Sequence, residues 1–302
     1  MRMIRFDGRV AIVTGAGAGL GRSHAKALAA RGAKVVVNDL GADVAGGGKS
    51  SAAAEAVVAE IKKAGGTAVA NYDSVGEPGS AARIVETALA AFGTVDIVIN
   101  NAGFLRDKSF EKMELADFDA VLRVHLQGGV YVTKAAWPVM KAKNYGRVVV
   151  TTSAAGLYGN FGQTNYAAAK AGLVGFMLAL KEEGAKHNIL ANAIAPVAFT
   201  RMLATIVPQS LEKRLRPEVA TAGVLYLVSE GCKANGCVLE AGDNSFAVAR
   251  LVKSPGMVLP PAEAETPEAV AANWDAITTL AGGHPHANAH SAVGASFQTP
   301  SR

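Results

Sequence analysis

The chain has 302 residues, half of them apolar and 18% charged, with a formal net charge of +5. This balance supplies a large buried core and excludes a disordered chain, and the scattered basic residues carry no nucleic-acid signature. No run of about 18 uninterrupted apolar residues suggests a membrane span. The N-terminus enters a strand pattern without a signal-peptide core, Cys232 and Cys237 suit a reducing compartment, and Pro300-Ser301-Arg302 is not the peroxisomal Ser-Lys-Leu address, so a cytoplasmic protein is expected.

Short β-branched runs recur along the chain: RVAIVT (9–14), KVVVND (34–39), TAVANY (67–72), VDIVIN (95–100), RVVVTT (147–152), ILANAIAP (189–196) and CVLEAG (237–242). Longer alanine-rich segments with helical spacing lie between them. A parallel sheet covered on both faces requires this alternation of apolar strands and helices. The pattern predicts a doubly wound, Rossmann-type α/β fold with a seven-stranded parallel sheet. Two stretches break the rhythm. LGADVAGGGKSSAAAE, after Asp39, is longer than the usual loop of about two to six residues. Beyond Ser245 the strand–helix alternation stops. Residues 1–245 are therefore expected to form one dinucleotide-binding domain that includes the catalytic site. Residues 246–302 are expected to form a C-terminal extension, partly helical with Thr266 as N-cap and Pro267 at the first helical position, ending in a mobile tail. His284, His286 and His290 in that tail have no acidic or thiol partner nearby, and no metal site is expected.

The first run ends in Thr14-Gly15-Ala16-Gly17-Ala18-Gly19-Leu20-Gly21 and passes into a helix. Glycines let the backbone approach a pyrophosphate, which then sits on the free N–H groups and positive dipole end of the helix. Asp39 ends the second strand, where a carboxylate either accepts from the ribose hydroxyls of NAD while repelling the extra phosphate of NADP, or caps a turn. The ribose reading is favoured, and with it NAD.

Ser153 lies at the C-terminal end of the fifth strand, where open α/β sheets bind their ligands. Tyr166 and Lys170 are four residues apart on an expected helix and share one face. A tyrosine acting as base near neutrality needs its phenolate stabilised by roughly 4 kcal/mol. One ammonium about 4 Å away supplies about that much at an effective dielectric near 20. The histidine in VHLQG, His125, admits three local readings: a satisfied core ring, a metal ligand or part of a catalytic site.

Together the glycine string, Asn100-Asn101-Ala102-Gly103 after the fourth strand, Ser153 thirteen residues before Tyr166, and Tyr166-x-x-x-Lys170 resemble the short-chain dehydrogenase/reductase family over residues 6 to about 245. The resemblance implies an enzyme that oxidises a secondary alcohol with NAD. Tyr166 would act as base, Lys170 would also hold the nicotinamide ribose, and Ser153 would hydrogen-bond the substrate oxygen. It implies cofactor contacts from Gly15, Gly17, Gly19, Leu20, Gly21, Asn101, Ala102 and Gly103, and an adenine contact from Asp73 beside Ser74. It also implies carboxamide-side contacts from Ala198 and Thr200, although Ala195-Pro196-Val197-Ala198-Phe199-Thr200 lacks the usual glycine. His125 occupies the place of the family's catalytic asparagine, as a tolerated variant that supports the site.

Within the family, RFDGRVAIVTGAGAGLGR, VVVNDLGAD, GGTAVANYDSV, RVHLQG, YGNFGQTNYAAAKAGL and TPEAVAANW resemble the (3R)-hydroxyacyl-CoA dehydrogenase domain of the peroxisomal multifunctional β-oxidation enzyme, a relative of 17β-hydroxysteroid dehydrogenase type 4. The activity implied is oxidation of the 3-hydroxyl of a (3R)-hydroxyacyl-CoA in fatty-acid or sterol side-chain β-oxidation, with a separate enoyl-CoA hydratase as an expected partner. A 17β-hydroxysteroid dehydrogenase is the nearest alternative. An NADPH-dependent ketoacyl reductase and a non-catalytic NAD-binding regulator are further ones. The resemblance also implies a homodimer that pairs helices around residues 117–143 and 165–187.

Overall fold

The computed structural model describes residues 3–43, 45–198 and 212–296. Eight strands form one sheet: β1 (Val10–Thr14), β2 (Lys34–Asn38), β3 (Thr67–Asn71), β4 (Ile97–Asn100), β5 (Gly146–Thr151), β6 (Ile189–Val197), β7 (Val238–Gly242) and β8 (Ser245–Ala249). Their order is β3-β2-β1-β4-β5-β6-β7-β8. Every neighbouring pair from β3 to β7 is parallel. The interior of the sheet is dry because both faces are covered: Ile12, Val36, Ile97, Ile99 and Ile194 are fully buried. Burying each such side chain contributes roughly 2 kcal/mol over leaving it exposed.

Strand order reverses between β1 and β4, so the loops leaving their C-terminal ends diverge and open a crevice there. The loop after β1 enters α1 (Gly19–Ala29), and α2 (Ala52–Lys63) and α3 (Pro78–Phe92) connect the strands of that half. In the other half, α4 (Leu115–Leu122) and α5 (Gly128–Lys143) precede β5, the short α6 (Ala154–Tyr158) and the long α7 (Thr164–Gly184) follow it, and α8 (Pro217–Leu227) precedes β7.

Two elements differ from the sequence expectation. The sheet gains an eighth strand, β8, entered through a two-residue turn in which Asp243 and Asn244 have φ of 45° and 61°. Two left-handed residues in succession make the tight turn that matches hairpin twist. The helix expected over 117–143 is also not continuous, because a π-helical turn, Arg123–Gln127, joins α4 to α5. Its wider winding carries His125, which is buried.

The chain divides into two compact units, Met1–Val248 and Ala249–Arg302. In the second, Thr266 caps α10 (Pro267–Ala272) by accepting from the Ala269 N–H at 3.3 Å, with Pro267 in the first turn as expected. α9 (Pro261–Ala264), α11 (Trp274–Thr278) and α12 (Ala289–Ser296) complete it. None of its described residues is buried. Among the described residues no helix is long and apolar enough to cross a membrane.

Candidate active site

The crevice is a cleft of about 590 Å³ whose walls include Gly15, Gly19, Leu20, Asp39, Asp73, Ser74, Asn101, Ala102, Gly103, His125, Ser153, Tyr166, Lys170 and Ala198. Residues separated by up to 183 positions in the sequence, Gly15 to Ala198, thus meet in one cavity. Thr200 lies outside the described residues.

On the β1–β2 side glycines let the loop pack closely against neighbouring chain. Gly15 has a φ of 63°, which glycine adopts without strain, and a Cβ there would stand 2.7 Å from the Ala102 Cα. A Cβ on Gly17 would lie 2.8 Å from an Asp39 carboxylate oxygen. That oxygen accepts the Gly17 N–H at 2.7 Å and the other accepts the Gly41 N–H at 2.7 Å, so main chain fixes Asp39 at the end of β2. Each oxygen keeps a second lone pair for a hydroxyl. Arg22 and Lys26 both pair with Glu60 at 2.6 Å, which draws these α1 cations into an ion pair of their own. Asn101 ties β4 to the glycine loop, donating to the carbonyls of Thr14 at 3.0 Å and Gly15 at 3.1 Å.

Asp73 reaches the cleft already engaged. One of its oxygens accepts from Arg83 Nε at 2.7 Å and the other from Asn71 Nδ2 at 2.9 Å. Its main-chain carbonyl accepts from the buried Asn38 at 2.9 Å, which locks β2 to the segment after β3. Ser74 turns its hydroxyl oxygen back to the Gly76 N–H at 3.2 Å.

The catalytic candidates converge where β5 meets α7. Ser153 caps α6, accepting from the Ala155 N–H at 3.2 Å, and is hydrogen-bonded to Tyr166. Lys170 is buried, donates to the Thr151 carbonyl at 2.6 Å, and holds its Nζ 5.4 Å from the centre of the Tyr166 ring. Burial brings the Lys170 ammonium down to about 7. Burial likewise pushes the Tyr166 phenol up, opposed by the Ser153 hydrogen bond and reinforced by the charge of Asp107. The expected lowering of Tyr166 by Lys170 is therefore not met by the chain alone. The reason is that burial of the phenol itself is the largest influence on it, and the buried Lys170, 5.4 Å from the ring centre, does not offset it.

His125 uses Nε2 against the main chain of Phe104, with the N–H at 3.0 Å and the carbonyl oxygen at 2.8 Å, while Nδ1 has no partner among the described residues. Its ring meets Tyr166 edge-on at 5.3 Å between centres. Burial, reinforced by the Lys170 charge and opposed by the Phe104 hydrogen bond, holds it down at about 3. The ring is neutral at working pH and packs so closely that a Cβ on Gly103 would lie 2.0 Å from it.

A family model described as short chain dehydrogenase matches residues 9–210. The chain belongs to the short-chain dehydrogenase family. It is 51% identical over 275 residues to the peroxisomal multifunctional enzyme type 2 of Mus musculus, which covers 91% of this chain and 37% of that protein. It is also 51% identical over 276 residues to a short-chain type dehydrogenase/reductase of Mycobacterium tuberculosis, covering 91% of this chain and 95% of that one. The full-length peroxisomal multifunctional enzyme type 2 of Drosophila melanogaster superposes with a TM-score of 0.81 at 40% identity, over 96% of this chain and 49% of that one. The chain thus spans well under half the length of the mouse relative. As a short-chain dehydrogenase it is an oxidoreductase acting on a secondary alcohol, and its family uses nicotinamide cofactors.

In this short-chain dehydrogenase Gln163 and Phe104, which the sequence pattern did not single out, also line the cleft. Gln163 is buried there, bridged to Asp107 at 2.7 Å and to Asn160 at 2.9 Å. Phe104 forms the wall between His125 and the long loop after Asp39, and a Cβ on Gly46 would stand 3.0 Å from its ring. Arg106 lies over Phe104, 5.2 Å from the ring centre, and donates to the Ala45 carbonyl at 3.1 Å and to Asp117 at 2.8 Å. A polar residue one turn before Tyr166 was a readable signal for Gln163, whereas the Phe104 and Arg106 contacts leave no trace in local pattern.

Proposed function

We propose that the chain oxidises the 3-hydroxyl of a (3R)-hydroxyacyl-CoA to the 3-ketoacyl-CoA with NAD as acceptor. The observation that carries the reading is the joining of Ser153, Tyr166 and Lys170 to Asp39 in one cleft. The quoted resemblance and the 51% identity to the mouse multifunctional enzyme support the substrate class.

The residues present fit a dinucleotide. The loop leaves no room for a side chain at Gly15, Gly17 or Gly21, and the main-chain-fixed Asp39 carboxylate suits ribose hydroxyls and repels a 2′-phosphate. Gly15, Gly17, Gly19, Leu20 and Gly21 would hold the pyrophosphate, Asp39 the adenosine ribose, and Asp73 and Ser74 the adenine. Asn101, Ala102, Gly103 and Ala198 would line the nicotinamide side. When bound, the oxidised cofactor supplies the hydride acceptor and a positive ring charge. Ser153 orients the alcohol oxygen, and Tyr166 takes its proton. Lys170 holds a second proton at Nζ one ring away, and His125 stays neutral while fixing Phe104.

Steady-state assays following NADH absorbance test this reading. The expected outcome is turnover of (3R)-hydroxyacyl-CoA with NAD at least ten-fold above that with NADP. Activity confined to the (3S) form, or to 17β-hydroxysteroids, overturns it. We also infer a homodimer in the cytoplasm that receives its substrate from a separate enoyl-CoA hydratase. Co-localisation of the tagged chain with peroxisomes, the compartment in the mouse relative's name, would overturn the location.

A further inference from the structure

Gln163 is the N-cap of α7, with a φ of −124° outside the helical range and its carbonyl accepting the Ala167 N–H at 2.7 Å, three residues before Tyr166. Its side chain and that of Tyr166 line the same cleft. The side chain is only 6% exposed and yet lines the cleft. Both of its ends are tied, with Nε2 donating to Asp107 Oδ2 at 2.7 Å and Oε1 accepting from Asn160 Nδ2 at 2.9 Å. An amide nitrogen carries two protons, so one N–H is left after Asp107 is served. The acceptor is a carboxylate, which polarises the amide and fixes its plane.

We propose that Gln163 is a specificity-determining residue whose remaining N–H reads a second substrate oxygen, the thioester carbonyl two carbons from the carbinol. The proposal rests on the hydroxyacyl reading above and deepens it. Ser153 and Tyr166 take the carbinol oxygen. A 3-hydroxyacyl thioester then presents its carbonyl oxygen in a 1,3 relation to that atom, toward the part of the cleft wall that Gln163 forms. A simple secondary alcohol or a steroid ring alcohol has no acceptor there. Because Asp107 and Asn160 hold the amide before substrate arrives, little side-chain entropy is lost when the hydrogen bond forms, and the bond goes into discrimination. The arrangement also fixes which way round the acyl chain lies, since the carbonyl must face α7.

A pair of matched probes tests this: (3R)-hydroxybutyryl-CoA, and the CoA thioether in which the carbonyl is replaced by a methylene. The wild-type enzyme is expected to prefer the thioester about ten-fold in kcat/KM, the size of one neutral hydrogen bond. Gln163→Met, similar in length and without a donor, is expected to lose about ten-fold more on the thioester than on the thioether, removing the preference. Asp107→Asn keeps an acceptor for Gln163 and is expected to keep the preference. Equal losses of Gln163→Met on both probes, or an undiminished preference, overturn the role of Gln163. The wild-type ratio needs no variant, so an absent preference overturns the proposal even where Gln163→Met fails to fold. Turnover of neither probe by the wild type overturns the hydroxyacyl reading and this proposal with it, an outcome distinct from turnover of both at equal efficiency.

Discussion

Tyr166 is pulled in two directions by its neighbours, and the balance sets the pH at which it would serve as a base in the proposed oxidation. Burial and the charge of Asp107 raise its proton affinity, and the Ser153 hydrogen bond lowers it. Oxidation needs the deprotonated phenol, so anything that raises its pKa moves the rise in kcat/KM to higher pH. Asp107→Asn should therefore move that rise to lower pH. Ser153→Ala should move it higher and also cost roughly 10²- to 10³-fold for the lost oxygen contact. A pH profile of kcat/KM for each variant checks both signs, and shifts in the same direction would contradict the account. At this scale the sequence disclosed Ser153, Tyr166 and Lys170 because their spacing fixes which face and strand end they occupy. It did not disclose Asp107, whose link to Gln163 crosses 56 residues and depends on side-chain approach that no local period encodes. Nor could spacing show that burial would bring Lys170 to about 7.

Among the elements, the π-helical turn between α4 and α5 does what an uninterrupted helix would not: it brings His125 against both Phe104 and Tyr166. Inserted residues of this kind often occur at functional sites because they re-aim one side chain without ending the helix. In the sequence the turn reads as ordinary helix, since a single extra residue barely disturbs the apolar spacing. β8 escaped notice for a different reason, its strand being exposed and so lacking a buried apolar run, although the Asp243-Asn244 pair was the available hairpin signal. The other seven strands were legible because burial on both faces forces near-continuous β-branched runs. The buried ring of His125 has a consequence for stability. Its pKa is about 3 in the fold against 6.5 for an exposed imidazole, so the unfolded chain binds a proton that the native state refuses. Stability is then full above about pH 6.5 and falls as pH drops from there toward 3, at up to roughly 1.4 kcal/mol per pH unit for one histidine. His24, buried on α1 against Thr221 and likewise held at about 3, adds a second such slope. Urea unfolding between pH 7 and 5 should show wild type losing stability more steeply than His125→Asn by about one proton's worth. Parallel slopes would sink this assignment.

At the scale of the whole molecule, the face left open on α7 bears on assembly. Ala168, Ala171, Gly175 and Ala179 form an exposed stripe along one side of the helix, while Ala169, Leu173, Met177 and Leu180 on the other side are buried. Spacings of three and four residues keep the stripe on a single face, and small residues allow a second helix to approach closely. A twofold axis beside α7 would place each stripe against its own copy, so any change there enters the interface twice. Ala171→Arg puts a charge on a face that solvent already reaches in the single chain, and the monomer should fold with its cleft intact. In the dimer the same charge is desolvated without a partner, costing on the order of 3 kcal/mol per copy. The dissociation constant should rise more than a hundred-fold. Light scattering at micromolar concentration should then give the mass of two chains for the wild type and of one for Ala171→Arg, with NADH binding retained by both. A wild-type monomer, or an Ala171→Arg dimer of undiminished affinity, would move the interface away from α7 and leave its small-residue stripe as an ordinary solvated surface.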